Sequence, residues 1–404
     1  MPSLQSSGLR PSRSSTDSVT EEFMRHPLSS AFIAAGLCLV TGQVHAFGVV
    51  GTGSPGSCTE AALDAALVGG GAVTFDCGSG PVTIALTGTK VISSPTDIDG
   101  GGLITLDAGG LPTNIRHFAL AAGDLALSNI TLVNGRPNNA LDDGGAVYVD
   151  AASSLTVTNA TFRDNGASSG AAIWSLGTLQ VSGSTFTGNA GQLSGIGTVG
   201  AGGGSAEIVN STFTGNNVVH GGAIGATGGA SMTVTHGTLV GSINANDAVF
   251  SGGTGTSITL RNSIAMKEGG GPVCDPYDTG VIVDGGGNLQ YGGNTPDSCG
   301  AGIATANPLL GALADNGGPT WTMALGAGSP AIDAADGANG QATDQRGIAR
   351  PNGAGYDVGA YEYYPQASPA PTLSPWAMPI LVLLLLLTGR GRTGKRPGTR
   401  RLAG

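Results

Sequence analysis

Charged and aromatic side chains are scarce in this sequence. Only 11% of the residues are charged and 5% are aromatic, whereas 72 of the 404 residues are glycine. Glycine destabilises helix interiors, which excludes a helix bundle, and the absence of a three-residue glycine period excludes collagen. Because 40% of the residues are hydrophobic, a core can still form. The composition therefore predicts a turn-rich, all-β protein.

Basic residues are nearly missing from the central part of the chain. Between Phe47 and Ala367 there are 24 acidic and 8 basic side chains, a formal charge of −16, and six further basic residues follow Thr388. Nucleic-acid binding needs cationic charge against the phosphates, so we expect no nucleic-acid partner. The acidic surface is compatible with cations or neutral glycans.

The first 46 residues have the features of an export signal preceded by an extension. Within 24–46, Arg25 precedes an apolar stretch, Ala31 to Val40, and small residues then lead to an expected cleavage site before Phe47. The signal peptide thus begins near Met24, which we expect to be the initiator. N-terminal sequencing of the precursor checks this hypothesis.

The other end of the chain also carries a targeting pattern. A Pro-rich linker, 365–375, precedes the apolar segment 376–387 and a basic tail that ends at residue 404. Twelve apolar residues are fewer than the roughly 20 that span a bilayer, and the basic tail is expected to stay cytoplasmic. The order of these parts resembles the PTL-type (IPTL-CTERM) sorting signals of bacteria. The resemblance implies transient membrane contact through 376–387 and C-terminal processing machinery; the alternative is a short, unprocessed membrane anchor.

Four cysteines remain after the signal peptide. Cys58 and Cys77 are separated by 19 positions, and Cys274 and Cys299 by 25. Disulfides persist in exported proteins. Four cysteines allow three connectivities, and locality favours the pairs Cys58–Cys77 and Cys274–Cys299. A zinc site is the weaker alternative, because no CxxC motif or nearby histidine accompanies either pair.

An internal repeat dominates residues 73–306. STFTGN occurs at both Ser184 and Ser211, and its relative ATFRDN begins at Ala160. Six segments such as LTVTNATF and LQVSGSTF share one pattern, with a period near 26 residues. The fifth residues of these segments are Asn129, Asn159, Gly183, Asn210, His236 and Asn262.

The pattern of each repeat predicts three short strands joined by corners. Leu155 and Val157 alternate with polar residues, as in a strand with one buried face. The next large apolar residue, Phe162, is out of phase by one, so the chain bends at Asn159, a residue type that tolerates left-handed backbone. Segments such as GAAIWS supply a third strand. The prediction is a right-handed parallel β-helix, in which coils stack at roughly 4.8 Å.

Stacking explains the literal repetition. Equivalent residues of successive coils lie on top of one another, so we expect an internal phenylalanine stack and a ladder of hydrogen-bonded turn amides. The phenylalanines are Phe162, Phe186 and Phe213, and the amides are those of Asn165, Asn189 and Asn216.

Residues 47–72 are expected to cap the N-terminal end of the solenoid. An amphipathic helix, Thr59 to Val68, can cover the open first coil, and Cys58–Cys77 would attach it to the first strand, Val73 to Phe75. The stretch GTGSPG matches the G-x-G-x-x-G motif of dinucleotide-binding folds, but no βαβ units follow it. We therefore expect no cofactor.

Two resemblances extend this interpretation. GGAV, GAAI and GGAI together with FRDN and FTGN resemble the repeats of polymorphic outer-membrane, autotransporter-like proteins. Residues 307–364 resemble the choice-of-anchor Q module of secreted bacterial β-helix proteins. These resemblances imply a cell-surface, outer-membrane or extracellular location and an adhesin-like role. In the module, the charged residues are expected to form ion pairs and hydrogen bonds that close the last coil, and they include Asp344, Arg346, Arg350 and Asp357.

Catalytic residues are hard to find in the sequence. A glycosidase needs paired carboxylates, and Asp142 and Asp143 are the nearest candidates, although a solvated turn is the simpler interpretation. A lyase needs an acidic calcium cluster beside a basic residue. The basic residues noted in the repeats have no clear acidic partners; they are Arg136, Arg163, Arg261 and Lys267. We expect no metal.

The sequence therefore predicts a non-enzymatic, exported surface or secreted protein that binds glycans or a cell-surface ligand. The alternatives are a polysaccharide lyase or glycoside hydrolase of the pectate-lyase-like class, and a purely structural envelope protein. Ligand specificity is expected in irregular stretches such as Gly191 to Gly204, where the repeat is interrupted.

Overall fold

The computed structural model describes residues 48–137, 142–191, 196–295 and 298–365. They form a right-handed parallel β-helix of about nine turns, with a single α-helix in this part of the chain. The predicted fold class is therefore confirmed. The targeting segments 1–46 and 376–404, and almost all of the linker 365–375, lie outside the described residues.

Each coil contributes one strand to each of three faces. Faces 1 and 2 belong to one 18-stranded sheet, and face 3 is an 8-stranded sheet, with parallel pairing in both. The first two faces share the long strands β5 (Thr96–Asp107) and β7 (Asp124–Val133).

The remaining strands of face 1 are β1 (Gly48–Val50), β2 (Gly71–Phe75), β9 (Ser154–Thr158), β13 (Thr178–Ser182), β17 (Ser205–Val209), β20 (Ser231–Thr235), β23 (Ser257–Arg261) and β26 (Val281–Asp284). Those of face 2 are β3 (Val82–Ala85), β10 (Thr161–Arg163), β14 (Thr185–Thr187), β18 (Thr212–Asn216), β21 (Thr238–Gly241), β24 (Ile264–Lys267), β27 (Leu289–Gly292) and β28 (Ala304–Thr305).

Face 3 consists of β4 (Lys90–Ile92), β6 (Phe118–Leu120), β8 (Val147–Val149), β12 (Ile173–Ser175), β16 (Val199–Ala201), β19 (Ile224–Ala226), β22 (Val249–Gly252) and β25 (Cys274–Tyr277). Outside the faces lie the short pair β11 (Gly166–Ala167) and β15 (Ala190–Gly191), the antiparallel hairpin β29 (Leu310–Ala314) and β30 (Thr322–Leu325), and two 3-10 turns, Pro55–Ser57 and Gly337–Asn339.

The corner between faces 1 and 2 has a left-handed backbone in coil after coil. Asn159, for example, has φ 53°, and the same corner in the next coil is Gly183 with φ 60°. The left-handed residue reverses the phase of the side-chain alternation, so that Val157 before the corner and Phe162 after it both point inward and are fully buried. Asn and Gly recur at this corner because they adopt positive φ at low cost.

Two ladders run along the interior. The rings of Phe162, Phe186 and Phe213 are stacked, with centroids 4.9 and 4.5 Å apart. Beside them, the buried amide of Asn165 donates to Asn189 Oδ1 at 3.0 Å, and that of Asn189 donates to Asn216 Oδ1 at 2.9 Å. Each amide also donates to a backbone carbonyl one coil away, so these polar groups are satisfied inside the core. These residues therefore have an architectural role.

The N-terminal end is closed by helix α1 (Glu60–Leu67). Thr59 caps the helix by accepting from the Ala62 amide, and Leu63 is fully buried against the core. The sequence predicted that Val73 to Phe75 form the first strand of the solenoid. In the structure β1 precedes the helix and pairs with β2, so Val73 to Phe75 lie in the second strand of face 1. Residues Gly48–Val50 thus form an additional edge strand.

Both predicted disulfides are present. Cys58 and Cys77 have Cα atoms 5.7 Å apart, and Cys274 and Cys299 have Cα atoms 4.9 Å apart. The first joins the segment before α1 to the residues after β2, and the second ties β25 to the segment before β28. Each disulfide therefore crosslinks the chain near one end of the solenoid.

Candidate functional site

Face 1 presents columns of hydroxyl-bearing side chains to solvent. Inward residues such as Leu155 and Val157 alternate with outward ones, and parallel register places the outward residues of successive coils side by side. One column consists of Ser154, Thr178, Ser205, Ser231 and Ser257, and the next of Thr156, Gln180, Glu207, Thr233 and Thr259. All ten side chains are exposed or half-buried.

Two shallow depressions lie on this face. One, of about 340 Å³, is lined by residues that include Asp97, Asp124 and Ser154, and Ser154 Oγ donates to Asp124 Oδ1 at 2.7 Å. The other, of about 270 Å³, lies between the two columns and reaches Glu207 and Arg261. Hydroxyl, amide and carboxylate groups can donate to and accept from the hydroxyls of a sugar chain.

The C-terminal module (residues 307–364) covers the later coils of a similar threonine column on face 2. Thr185, Thr212 and Thr238 lie in register and are at most 1% exposed. Thr185 donates to the Trp321 carbonyl, and Thr212 donates to Gln345 Oε1 at 2.6 Å.

The module extends well beyond the last coil that it was expected to close. Thr320 donates to the carbonyl of Gly183 at 2.7 Å, 137 residues earlier in the chain. Closer to the C-terminal end of the solenoid, the Asn262 amide donates to the Asp336 carbonyl at 2.9 Å. The module can lie flat here because short threonines leave a level surface whose hydroxyls serve both as donors and as acceptors. The later coils of face 2, from β14 to β24, therefore form an intramolecular interface.

The charged residues of the module form a buried network. Arg346 pairs with Asp344 at 2.6 Å, and Arg350 pairs with Glu362 at 2.9 Å. Arg350 also donates to the carbonyl of Asp357, whose side chain accepts from the amides of Asp333 and Tyr363. Burial raises the pKa of the Asp357 carboxyl to about 6. These contacts fold the module on itself and give the charged residues structural partners.

Asp142 and Asp143 lie at one edge of face 3, beside a basic residue that the sequence analysis overlooked. The guanidinium of Arg116 lies 5.3 Å from the centre of the Tyr148 ring, and its charge acts on both aspartates. Asp143 Oδ1 accepts from the Ser169 amide at 3.0 Å, and burial raises the pKa of the Asp143 carboxyl. Arg116 precedes the regular repeats and comes next to Asp143 only through coil stacking, so no short motif indicates the pair.

A second cluster on the face 3 side joins three successive coils. His220 precedes β19, Asp247 precedes β22, and Asp275 lies in β25. Burial, and then the charge of Asp275, raise the pKa of Asp247 to about 7, against the opposing effects of the Gly221 amide and Lys267. The sequence analysis missed this cluster because its members are separated by 27 and 28 residues; aligning His, Asp and Glu residues on the repeat period is the signal that finds them.

The irregular stretch Gly191 to Gly204 is described only in part, because residues 192–195 lie outside the described residues. In the described part, the Trp174 ring covers the backbone of Gly200 and Gly202. A Cβ at either glycine would approach the ring to 2.5 or 2.4 Å. These glycines are therefore required for close packing of Trp174.

In the described parts of the chain, no helix is long and apolar enough to cross a membrane. The apolar segment 376–387 lies outside those parts.

Comparison of the chain with protein-family models, with curated proteins and with solved structures finds no match.

Proposed function

We propose that this protein is a non-enzymatic, exported surface or secreted β-helix protein that binds extended glycan chains through face 1. The observation that carries the proposal is the pair of outward columns on this face, which repeat hydroxyl-bearing side chains over five coils and remain uncovered. At roughly 4.8 Å per coil the columns are about 19 Å long, which suits several sugar residues of a polymer.

The chemistry of the columns fits a neutral glycan. Serine and threonine hydroxyls each donate one hydrogen bond and accept two, and Gln180 and Glu207 add an amide and a carboxylate in the same column. Arg261 is a cation at the edge of this surface, whereas Glu207, Asp124 and Asp97 are acidic. This charge disfavours strongly anionic polymers.

The export part of the proposal is supported by the sequence. The signal-like segment 24–46, the sorting-signal-like C-terminal segment and the resemblance to outer-membrane repeat proteins all favour a surface or extracellular location. Two disulfides fit an oxidising compartment. Cell fractionation tests this part, and recovery of the protein only from the reducing cytoplasm contradicts it.

A glycan panel scored for both binding and cleavage tests the function. We expect binding without cleavage, and we expect the double variant Thr156→Val/Thr233→Val to weaken binding by about tenfold or more, because two hydrogen-bonding hydroxyls are replaced by methyl groups of the same shape. The matched control, Thr254→Val/Thr279→Val, removes two exposed hydroxyls from the turns before β23 and β26, outside the two columns, and should bind as the wild type. Wild-type binding by the first variant contradicts the role of face 1, and no binding to any glycan favours the purely structural alternative.

A second candidate function, cleavage of a polysaccharide, is favoured by Asp143. Its carboxyl has a raised pKa and lies close to Arg116 and Tyr148, an arrangement that resembles an acid beside a basic residue. If the same panel shows product release, Asp143→Asn should abolish it while leaving the melting temperature within a few degrees. Unchanged product release in that variant contradicts this candidate.

A further inference from the structure

His220, Asp247 and Asp275 direct ligand-type atoms to one point on the solenoid. One imidazole nitrogen and two carboxylate oxygens all lie within 4.8 Å of one another. His220 Nδ1 and Asp247 Oδ2 are 3.6 Å apart, too far for a hydrogen bond. The three residues belong to consecutive coils: Asp275 pairs with Phe250 in the ladder of face 3, and His220 and Asp247 lie just before strands of that ladder.

The polar atoms at this point lack partners that a buried group needs. Asp247 is fully buried, and its Oδ1 accepts from the Gly221 amide. Its Oδ2 and the His220 Nδ1 face each other and form no hydrogen bond within the described residues. A buried carboxylate oxygen without a partner costs free energy, and buried charges in proteins are usually paired or coordinate a metal.

We propose that His220, Asp247 and Asp275 bind a divalent transition-metal ion of the Zn²⁺ type. Zn²⁺ binds imidazole nitrogen and carboxylate oxygen at about 2.0–2.2 Å, so its ligand atoms lie roughly 3.4 Å apart in a tetrahedral site. The 3.6 Å separation already matches, and the other separations, all within 4.8 Å, would need to shorten by at most about 1.4 Å. Imidazole favours such ions over Mg²⁺ and Ca²⁺.

Access and charge also suit this ion. The His220 side chain is 31% exposed, which leaves a route from solvent and room for water at a fourth position. The Phe250 ring, 5.0 Å from the imidazole, shields one side of the site. Two carboxylates and a neutral imidazole together balance the charge of a divalent cation.

Lys267 is the group that opposes binding, because its positive charge acts on Asp247. Its ammonium, however, is directed at backbone carbonyls: it donates to Ser242 at 2.9 Å and to Glu268 at 2.6 Å. The lysine therefore lowers the affinity of the site without occupying the position of the metal.

Isothermal titration of the full chain, without an affinity tag, tests the proposal with Zn²⁺ alone. We expect one ion per chain, and a melting temperature that rises with Zn²⁺ because the ion binds the folded state. His220→Ala and Asp275→Asn should each weaken binding by at least about tenfold, since even the loss of a residue that supports a ligand costs 10–100-fold. Both side chains are partly exposed, so these variants should fold even if Asp247→Asn does not.

The control is Glu207→Gln, which removes an exposed carboxylate on face 1 and changes the net charge by the same amount as Asp275→Asn. It should bind Zn²⁺ as the wild type does. Three results overturn the proposal: no Zn²⁺ binding by the wild type, equal binding by His220→Ala, or a preference for Ca²⁺ over Zn²⁺. The first of these would leave the cluster as a buried Asp–His pair.

Discussion

Faces 1 and 2 carry similar outward residues and differ in what covers them. Both present threonines in register on successive coils, as at Thr233 and Thr259 on face 1 and at Thr212 and Thr238 on face 2. The threonines of face 1 are partly exposed, whereas Thr212 and Thr238 are buried under the C-terminal module. A flat hydroxyl column can therefore serve as an open surface or as an internal interface, and what covers it decides between the two.

The corner that joins the faces shows the same difference. Asn129 and Asn159, early in the solenoid, are half-buried, whereas His236 and Asn262 are fully buried. Asn262 bonds to the module, its amide donating to the Asp336 carbonyl and its side-chain oxygen accepting from the Asp336 amide. The module thus changes the solvation of corner residues whose backbone conformation is nearly constant.

The largest effect on stability is expected from removing a buried charge within the module. Arg350→Met should lower the free energy of unfolding by about 3–5 kcal/mol, because it leaves the buried Glu362 carboxylate without its cationic partner. Arg261→Met on face 1 removes an exposed guanidinium and should change stability by less than about 0.5 kcal/mol. Urea denaturation followed by circular dichroism measures both. Equal effects would show that the module does not bury its charges.

An intermediate effect is expected at the corner, through pH. Burial first, and then the charge of Arg350, lower the pKa of His236 to about 3. Because the pKa of His236 is lower in the folded than in the unfolded protein, the neutral imidazole stabilises the folded state above pH 6.5, and this stability is lost as the pH falls toward 3. His236→Asn, which restores the residue found at most corners, should remove up to about 3 kcal/mol of the stability loss between pH 7 and pH 4.

Urea denaturation of both proteins across that range measures the difference. His117, whose pKa burial lowers to about 4, and Asp247 and Asp357, whose pKa values are raised, are unchanged by the substitution and cancel in the comparison. Parallel pH profiles of variant and wild type would contradict the burial of a neutral imidazole under the module.

The smallest effect is expected from a matched pair of threonines. Thr212→Val should cost about 1–2 kcal/mol, because Gln345 Oε1 loses its buried donor, and it should leave glycan binding unchanged. Thr259→Val on face 1 should change stability by less than about 0.5 kcal/mol and weaken glycan binding instead. Thermal melts together with the glycan panel separate the two faces, and the same outcome at both positions would remove the distinction between them.

Much of the solenoid was predictable because residues one repeat apart in the sequence become neighbours when the coils stack. The phase slip at Asn159 predicts a corner, and the structure has φ 53° there. The recurrence of Phe186 and Phe213 predicts neighbouring positions, and the rings stack. The two disulfides join local cysteine pairs. The pairing of β1 with β2 was not predicted, because the partner strand lies beyond the helix.

The candidate sites were harder to predict because their members come from different coils. Asp143 was singled out from the sequence, but Arg116, whose charge acts on it, was not. None of His220, Asp247 and Asp275 stands out in its local sequence, and their convergence depends on the register of face 3. A carboxylate can be recognised as a candidate site residue only when neighbouring coils bury it and leave one of its oxygens without a hydrogen-bond partner.

The sequence by itself determined the repeat, the corners, the inward ladders and the disulfide pairs, since all of these follow from local alternation and a period near 26 residues. Only the tertiary structure decided which outward column is covered. The contacts of Gln345 with Ser184 and of Ala360 with Thr238 span 161 and 122 residues, and no periodicity encodes them. The hydroxyl columns of faces 1 and 2 are alike in the sequence, and the return of the chain over the later coils of face 2 makes them different.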